Sequence, residues 1–221
     1  MPDLPVIDVY RIYWPDWLQS VSGFMDLLDP WERARAAGFH FDKDRSRFVI
    51  CHGWLRRILG EREKARPESL ELLLGGHGKP FAAGHWQFNL SYGGHWVVIA
   101  TAEQMPIGVD LEPFRLLPDA LSMARNYFTS DENSLIERTC EPTRSRHFLT
   151  LWTRKEAYLK ATGLGLTAPL NQITMGLKNS CVYDGTNQRW RLVNLPGLKS
   201  HAAALCAPGR WVWRHHPLPQ L

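Results

Sequence analysis

Long apolar runs are missing from this 221-residue sequence. A membrane-spanning helix needs about 20 consecutive apolar residues, and no segment approaches that length. The acidic beginning, MPDLPVID, lacks the basic and apolar regions of a secretory signal. Cysteine is scarce as well: the four cysteines lie far apart, with neither CxxC nor Cys/His metal spacing, so no zinc site or disulfide framework is indicated. We therefore expect a cytoplasmic protein without a membrane partner.

A strong charge of either sign is also lacking. The net charge of +4 favours an anionic partner, but it is compatible with nucleic acid, nucleotide cofactors and acidic proteins alike. The hydrophobic content of 44% and charged content of 22% are those of folded globular proteins and exclude a disordered chain. Because 221 residues lie near the border between one large domain and two small ones, two packed halves are plausible.

Periodic patterns along the chain predict an α+β fold. Helical spacing and capping signals predict helices at 29–38, 42–60, 67–74, 118–128, 130–137 and 144–162, with Asp29 and Ser130 as N-caps. Alternating and β-branched runs predict strands at 6–14, 86–91, 95–102, 107–112, 171–177, 189–195, 201–207 and 210–214, and a hairpin turn at Tyr92-Gly93-Gly94. The order of helices followed by strands occurs twice. We therefore predict two similar halves, residues 1–103 and 104–221, packed firmly together.

Two carboxylates stand at the end of a predicted strand. In IGVDLE, Asp110 and Glu112 are two residues apart, so both side chains leave the same face of the strand. Carboxylates held this close need a cation or a shared proton, and hard oxygen ligands suit Mg²⁺. Two solvated acids would give the same pattern, and for this motif alone that is the commoner interpretation.

A second group of polar residues lies on the predicted helix over 144–162. In LWTRKEAYLK, Trp152, Glu156 and Lys160 follow one another at four-residue steps and share one helix face. Glu156 and Lys160 could also form an ordinary surface ion pair worth only about 0.3 to 0.5 kcal/mol. The conjunction with the acidic strand favours a functional role.

A third segment combines a glycine-rich turn with small polar residues. Gly78-Lys79-Pro80-Phe81 is followed by Phe88-Asn89-Leu90-Ser91. A turn alone explains this composition, but a lysine and small donors ahead of an acidic strand also suit a phosphate-binding site.

The order of these segments resembles the motifs of the Sfp-type 4′-phosphopantetheinyl transferases. The matching stretches read GKPF, NLSYG, GVDLE and WTRKEAYLKATGLG, and together they cover residues 78–165. The resemblance implies two similar α/β halves packed as a pseudo-twofold dimer within one chain. It also implies an enzyme that moves the phosphopantetheine arm of coenzyme A to a serine of an apo acyl or peptidyl carrier protein and releases 3′,5′-ADP. The carriers of such enzymes serve fatty-acid, polyketide or nonribosomal-peptide synthesis, and the enzyme is expected to be a monomer that does not bind nucleic acid.

The resemblance also assigns roles to particular residues of this chain. It implies that Asp110, Glu112 and Glu156 bind Mg²⁺, that Glu156 accepts the serine proton, and that Lys160 balances the charge of the leaving group. Phosphate contacts are implied for Lys79, Ser91, Lys155 and Lys160, and for Arg47 in FHFDKDRSRF, with Arg33 and Arg35 adding charge for the 3′-phosphate. Tyr92 stands where the family usually has a histidine for that phosphate, and it carries no charge at neutral pH.

The residues alone are compatible with two other functions. A magnesium-dependent nuclease also uses Asp, Glu and Lys, but its lysine follows the acid by two residues on a strand, whereas Lys160 follows Glu156 by four on a predicted helix. A non-catalytic protein that binds coenzyme A or a carrier would not need all three carboxylates. An activity assay separates these functions.

Overall fold

A computed structural model describes residues 4–75, 79–165, 168–178 and 180–220. In these ranges the helices are α1 (Val21–Leu27), α2 (Pro30–Ala37), α3 (Asp42–Glu63), α4 (Ala120–Tyr127), α5 (Ser130–Arg138) and α6 (Thr143–Thr162). The strands are β1 (Val6–Tyr13), β2 (Leu72–Leu74), β3 (Pro80–Ala82), β4 (Trp86–Gly93), β5 (Trp96–Glu103), β6 (Gly108–Pro113), β7 (Ser180–Tyr183), β8 (Arg189–Asn194), β9 (His201–Pro208) and β10 (Val212–His215). Short 3₁₀ segments connect several of them.

Two four-stranded sheets share an arrangement of three strands, and each adds a fourth strand at a different edge. The first has the order β10-β1-β5-β4 and the second β6-β9-β8-β7. In the first sheet, β1 pairs antiparallel with β5, and β5 pairs antiparallel with β4. In the second sheet, β6 pairs with β9 and β9 with β8 in the same way. The prediction of an α+β chain built from two similar halves is confirmed.

The central strands are buried on both faces. Along β5, Val97 and Ile99 pack in a core with α3, whereas Val98 and Ala100 belong to a core shared by the two sheets. Successive side chains of a strand point to opposite faces, so one strand serves both cores. β9 behaves in the same way toward α6 and the first sheet. The shared core holds the two sheets together.

Local sequence signals account for several helix ends. Asp29 caps α2 in a reciprocal capping box with Glu32, as the Asp-Pro start predicted. α6 ends at Gly163, which adopts a left-handed conformation with a φ of 73°. The helices predicted at 29–38, 42–60, 118–128, 130–137 and 144–162 are confirmed with small shifts of their ends.

Other local predictions are wrong. Residues 67–74 do not form a helix but a 3₁₀ turn followed by β2, which pairs with β3. No strand lies among the described residues of 171–177, where a 3₁₀ turn at 170–172 precedes irregular backbone. The N-cap of α5 is Thr129 rather than Ser130, and Tyr92 and Gly93 continue β4 instead of forming the hairpin turn.

The last strand belongs to the first sheet. β10 pairs in parallel with β1, and Arg214 forms an ion pair with Asp8 of β1. Arg62 of α3 binds the same carboxylate. Residues at the end of the chain therefore complete the sheet that its beginning starts, and the division into 1–103 and 104–221 stays a prediction.

Gly108 lies where β6 passes closest to α6. A Cβ atom at this position would overlap the backbone oxygen of Ala157 and the backbone nitrogen of Ala161. We expect Gly108→Ala to lower the free energy of unfolding by about 1 to 3 kcal/mol, because the strand and helix must move apart. Urea denaturation followed by circular dichroism measures this. Gly185→Ala is the matched control, since a Cβ there meets nothing within 4 Å, and equal stability of both variants would contradict the prediction.

Candidate active site

Asp110 of β6 is the centre of a buried polar cluster. One carboxylate oxygen, Oδ1, accepts a hydrogen bond from Ser91 Oγ at 2.8 Å and from Lys160 Nζ at 2.6 Å. The other oxygen, Oδ2, is buried and has no hydrogen-bond partner in the described part of the chain. A buried, unpaired carboxylate oxygen is costly unless something binds it.

Glu156 and Glu112 lie within electrostatic reach of this cluster. Burial raises the pKa of Glu156, and the charges of Asp110 and Glu112 add to the shift while Lys160 opposes it. Glu112 is partly exposed, and Arg115 Nη1 lies 3.2 Å from its Oε2. Across the described ranges, however, no three His, Cys, Asp or Glu side chains are grouped closely enough to hold a metal ion as they stand. Lys160 instead balances the charge of Asp110.

These residues fit a small divalent cation. The unpaired Asp110 Oδ2 is a hard oxygen donor, and burial together with repulsion from Asp110 and Glu112 disfavours ionised Glu156. A cation such as Mg²⁺ binds a few carboxylates and keeps water or phosphate as its other ligands. It would give Asp110 Oδ2 a partner and would favour the ionised form of Glu156.

Lys79 has a different environment from the one predicted. Its Nζ donates to the carbonyl oxygens of Lys160 at 2.6 Å and Ile107 at 3.0 Å. It therefore links the end of α6 to the residue before β6, the two elements that carry the carboxylates. Lys79 also lines the adjacent cavity, so a phosphate contact stays a prediction. The preceding residues 76–78 of the predicted glycine-rich turn lie outside the described residues.

The burial of Lys79 has a consequence for stability. Burial lowers its pKa from the usual 10.5 to about 8. Between about pH 8 and pH 10 the unfolded chain binds more protons at this lysine than the folded one, so its contribution to stability rises with pH. We expect the wild-type protein to gain stability over this range relative to Lys79→Met in urea unfolding. The exposed Lys43→Met is the control, and a pH-independent difference for Lys79→Met would refute the prediction.

Lys155 is not available to a ligand. It is fully buried, its Nζ donates to the carbonyl oxygens of Leu170 and Ile173, and it forms an ion pair with Glu132 at 2.9 Å. These three partners use all the hydrogens of the ammonium group. The prediction that Lys155 binds a phosphate is therefore corrected: it fixes α6 against α5 and the loop that follows α6.

A cavity of about 340 Å³ opens beside the carboxylates, between elements of both halves. The predicted residues that line it are Arg35, Lys79, Tyr92, Glu156 and Lys160, whereas Ser91 reaches the cluster through Asp110. The full lining is Trp31, Arg35, Phe48, His52, Lys79, Pro80, Asn89, Leu90, Tyr92, Glu156, Leu159, Lys160, Gly163 and Gly165.

The predicted arginines have three different environments. Arg47 lies over the ring of Tyr92, with its guanidinium carbon 4.4 Å from the ring centroid, and pairs with Asp44. Arg33 donates to the carbonyl oxygens of Leu28 and Asp26, so it supports the turn before α2. Arg35 lines the cavity. The structure thus brings Arg35 to the cavity wall, and it brings Arg47 to Tyr92.

Three lining side chains of α2 and α3 were not assigned roles from the sequence: Trp31, Phe48 and His52. Asn89 of β4, predicted as one of the small donors of a phosphate site, also lines the cavity. Asn89 Oδ1 accepts a hydrogen bond from the backbone nitrogen of Val109 at 2.8 Å, which ties β4 to β6 beside Asp110. Phe48 and His52 are four residues apart on α3, so helical spacing could have paired them.

Both halves of the chain match models of one protein family. Residues 106–206 match the family model of the 4′-phosphopantetheinyl transferase superfamily. Residues 13–104 match a second model, described as 4′-phosphopantetheinyl transferase, N-terminal. The two matches correspond to the two similar halves.

Individual relatives agree with the family models. The 4′-phosphopantetheinyl transferase HetI of Nostoc sp. is 36% identical over 167 residues, covering 72% of this chain and 70% of the relative. The 4′-phosphopantetheinyl transferase Sfp of Bacillus subtilis is 27% identical over 173 residues, with 76% of each chain covered. The 4′-phosphopantetheinyl transferase psf-1 of Bacillus pumilus is 33% identical over 149 residues, covering 66% of this chain and 62% of the relative.

Proposed function

This chain belongs to the 4′-phosphopantetheinyl transferase superfamily, and from that premise we propose that it uses the Asp110 cluster to transfer phosphopantetheine in a Mg²⁺-dependent reaction. Enzymes of this family take coenzyme A as substrate and act on carrier proteins. The observation that supports the proposal is the buried, unpaired Oδ2 of Asp110 beside Glu156, whose pKa is raised. The acceptor is the serine hydroxyl of an apo acyl or peptidyl carrier protein.

The metal would be held by Asp110, Glu112 and Glu156. When bound, Mg²⁺ neutralises charge on the pyrophosphate of coenzyme A. Asp110 is prepared for this role because Ser91 and Lys160 both bind its Oδ1 and leave Oδ2 free of protein partners.

Glu156 is proposed as the proton acceptor. The serine oxygen of the carrier forms a bond to the phosphorus that bears the pantetheine arm, and the bond from that phosphorus to 3′,5′-ADP breaks. Glu156 accepts the serine proton, directly or through a water, because its carboxylate lies at the cluster with Asp110. Lys160, whose ammonium group lies at the same cluster, balances the negative charge of the departing 3′,5′-ADP.

The net charge and the cysteines support the proposed partner and cellular location. Carrier proteins of this family present acidic helices, which suits a chain with a net charge of +4. All four cysteines are free, and Cys140 and Cys181 are exposed, which favours a reducing compartment and supports the proposed cytoplasmic location. Among the described residues, no helix is both long and apolar enough to cross a membrane. We propose that the enzyme acts as a monomer, because the cavity is lined by both halves of one chain.

Intact-mass spectrometry tests the function. Purified protein is incubated with coenzyme A, Mg²⁺ and apo carriers from fatty-acid, polyketide and nonribosomal-peptide synthesis. We expect at least one carrier to gain the mass of one phosphopantetheine. This mass gain should disappear in EDTA and return when Mg²⁺ is added. If no carrier gains mass while a known transferase modifies the same panel, the proposed activity is refuted. Transfer that persists in EDTA would remove the metal from the proposal.

A further inference from the structure

The strand that carries Asp110, β6, lies at the edge of its own sheet. Among the described strands it pairs only with β9, and its other edge lies against β4 of the first sheet. Backbone donors at a buried edge need partners, because an unpaired buried N–H group is costly. Val109 is fully buried, and its backbone nitrogen donates to Asn89 Oδ1 at 2.8 Å. A side chain of β4 thus takes the place of a neighbouring strand at the residue before Asp110.

Asn89 is the first of three alternating residues of β4 that contact β6. Asn89, Ser91 and Gly93 point the same way because they are two residues apart on one strand. Ser91 Oγ donates to Asp110 Oδ1 at 2.8 Å. At Gly93 the strands lie so close that a Cβ atom would come within 2.8 Å of the backbone oxygen of Leu111. These three residues therefore hold β6 against β4 on both sides of Asp110.

The carboxylate of Asp110 depends on this placement. Its Oδ1 accepts from Ser91 of β4 and from Lys160 of α6, whereas its Oδ2 has no hydrogen-bond partner in the described part of the chain. If β6 moved away from β4, Oδ1 would lose the Ser91 hydroxyl. The carboxylate would then be free to rotate and to bring both of its oxygens to the ammonium group of Lys160. In that arrangement Oδ2 is no longer available to a cation.

The contacts of Asn89 differ from those of a phosphate donor. The sequence predicts it as one of the small donors of a phosphate site, and its side chain does line the cavity. It is only 6% exposed, however, and its Oδ1 accepts from the protein backbone. Its contribution to the site therefore passes through β6.

We propose that Asn89 is a positioning residue for the metal site: by holding Val109 against β4, it keeps Asp110 where Ser91 and Lys160 bind Oδ1 and where Oδ2 stays available to Mg²⁺. The inference rests on the proposed function, because Mg²⁺ at Asp110 is part of that function. Asn89 touches neither the metal nor coenzyme A in this role.

Mn²⁺ binding tests this role without any transfer. Water-proton relaxation, with Mn²⁺ in place of Mg²⁺, gives Kd for the purified protein. Asn89→Leu keeps the approximate shape of the side chain but removes the acceptor, and we expect Kd for Mn²⁺ to rise about tenfold or more. Asn89→Asp keeps an acceptor for Val109 and adds a charge that favours a cation, so its Kd should not exceed the wild-type value.

The matched control is Asn133→Leu on α5. It also removes a hydrogen bond between an asparagine side chain and the backbone, the one from Asn133 Nδ2 to the Phe128 carbonyl oxygen at 3.2 Å. Thermal unfolding confirms that each variant is folded. We expect Asn133→Leu to bind Mn²⁺ as the wild type does, even if it loses as much stability as Asn89→Leu.

Kinetics separate positioning from phosphate binding. In Asn89→Leu, the Mg²⁺ concentration for half-maximal transfer should rise by the same factor as Kd for Mn²⁺. KM for coenzyme A at saturating Mg²⁺ should stay within about twofold of the wild-type value. A raised KM for coenzyme A with an unchanged Kd for Mn²⁺ would show that Asn89 binds a phosphate instead, and it would overturn the inference.

Each remaining outcome also decides the inference. It is refuted by an unchanged Kd for Mn²⁺ in folded Asn89→Leu, by an equal loss of affinity in Asn89→Asp, and by a wild type that binds no Mn²⁺. If Asn89→Leu does not fold, Asn89→Ala gives the same measurement with a smaller side chain, and failure of both to fold would show a purely structural role. If the wild type binds Mn²⁺ but no carrier gains mass, the proposed activity fails, while the Mn²⁺ measurements still decide the role of Asn89.

Discussion

Glu156→Gln is expected to lower kcat for phosphopantetheine transfer by about 10³-fold or more, because the amide neither accepts the serine proton nor completes the carboxylate set for the metal. The change is nearly isosteric. The structure shows no hydrogen bond from the Glu156 side chain to any described residue, and removing a carboxylate beside Asp110 and Glu112 relieves repulsion. The variant should therefore be at least as stable as the wild type. Single-turnover transfer to an apo carrier, read by intact mass, measures the effect.

The control for this prediction is an exposed glutamate. Glu137→Gln on α5 removes a carboxylate whose weak ion pair with Arg125 spans 3.5 Å between exposed side chains, so activity should stay at the wild-type level. Thermal unfolding of all three proteins checks the fold. A folded Glu156→Gln enzyme that retains wild-type kcat would remove Glu156 from the mechanism.

Lys155→Met is expected to lower the free energy of unfolding by about 3 to 5 kcal/mol. Methionine matches the lysine stem in length but leaves the carboxylate of Glu132 buried without its ion-pair partner, and the carbonyl oxygens of Leu170 and Ile173 without their donor. In the variant, the Glu132 carboxylate still accepts hydrogen bonds from the backbone nitrogens of Thr129 and Met175. These bonds hold the carboxylate in its buried position, where water cannot replace the lost ammonium group. Urea denaturation measures the loss.

Lys199→Met provides the comparison for Lys155→Met. Lys199 is exposed, and its replacement should change stability by less than about 0.5 kcal/mol. If Lys155→Met costs no more than this control, the buried pair does not stabilise the fold as its geometry indicates. If the variant does not fold at all, Lys155→Arg, which keeps the charge, should recover part of the structure.

The carboxylates were predictable from the sequence, because strand and helix periodicity decide which side chains share a face. Asp110 and Glu112 are two apart on β6, and Glu156 and Lys160 are four apart on α6. Lys155 shows that membership in a sequence motif does not decide where a side chain points. It directly precedes Glu156 in the motif, yet one helical residue turns the side chain by about 100°, and this rotation directs Lys155 toward α5 instead of the cavity.

The failed fold predictions share a cause. Residues 67–74 include good helix formers, but residues 72–74 form β2 because they pair with β3. No local sequence pattern reveals that pairing. Residues 171–177 alternate as a strand would, but Ile173 and Met175 pack on the core of α6 without a strand partner. The position of Phe48 and His52 at the cavity depends on α3 lying beside a cavity wall from the other half, which requires the assembled fold.

The pairing of β10 with β1 bears on how the enzyme can move. The chain crosses between the two sheets after β5 and again after β9, so the sheets are joined at two points rather than one. A hinge that opened the cavity by rotating one sheet away from the other would have to open the apolar core that the two sheets share. We therefore expect substrate entry and product release to involve side chains and loops at the cavity rim rather than a separation of the two sheets.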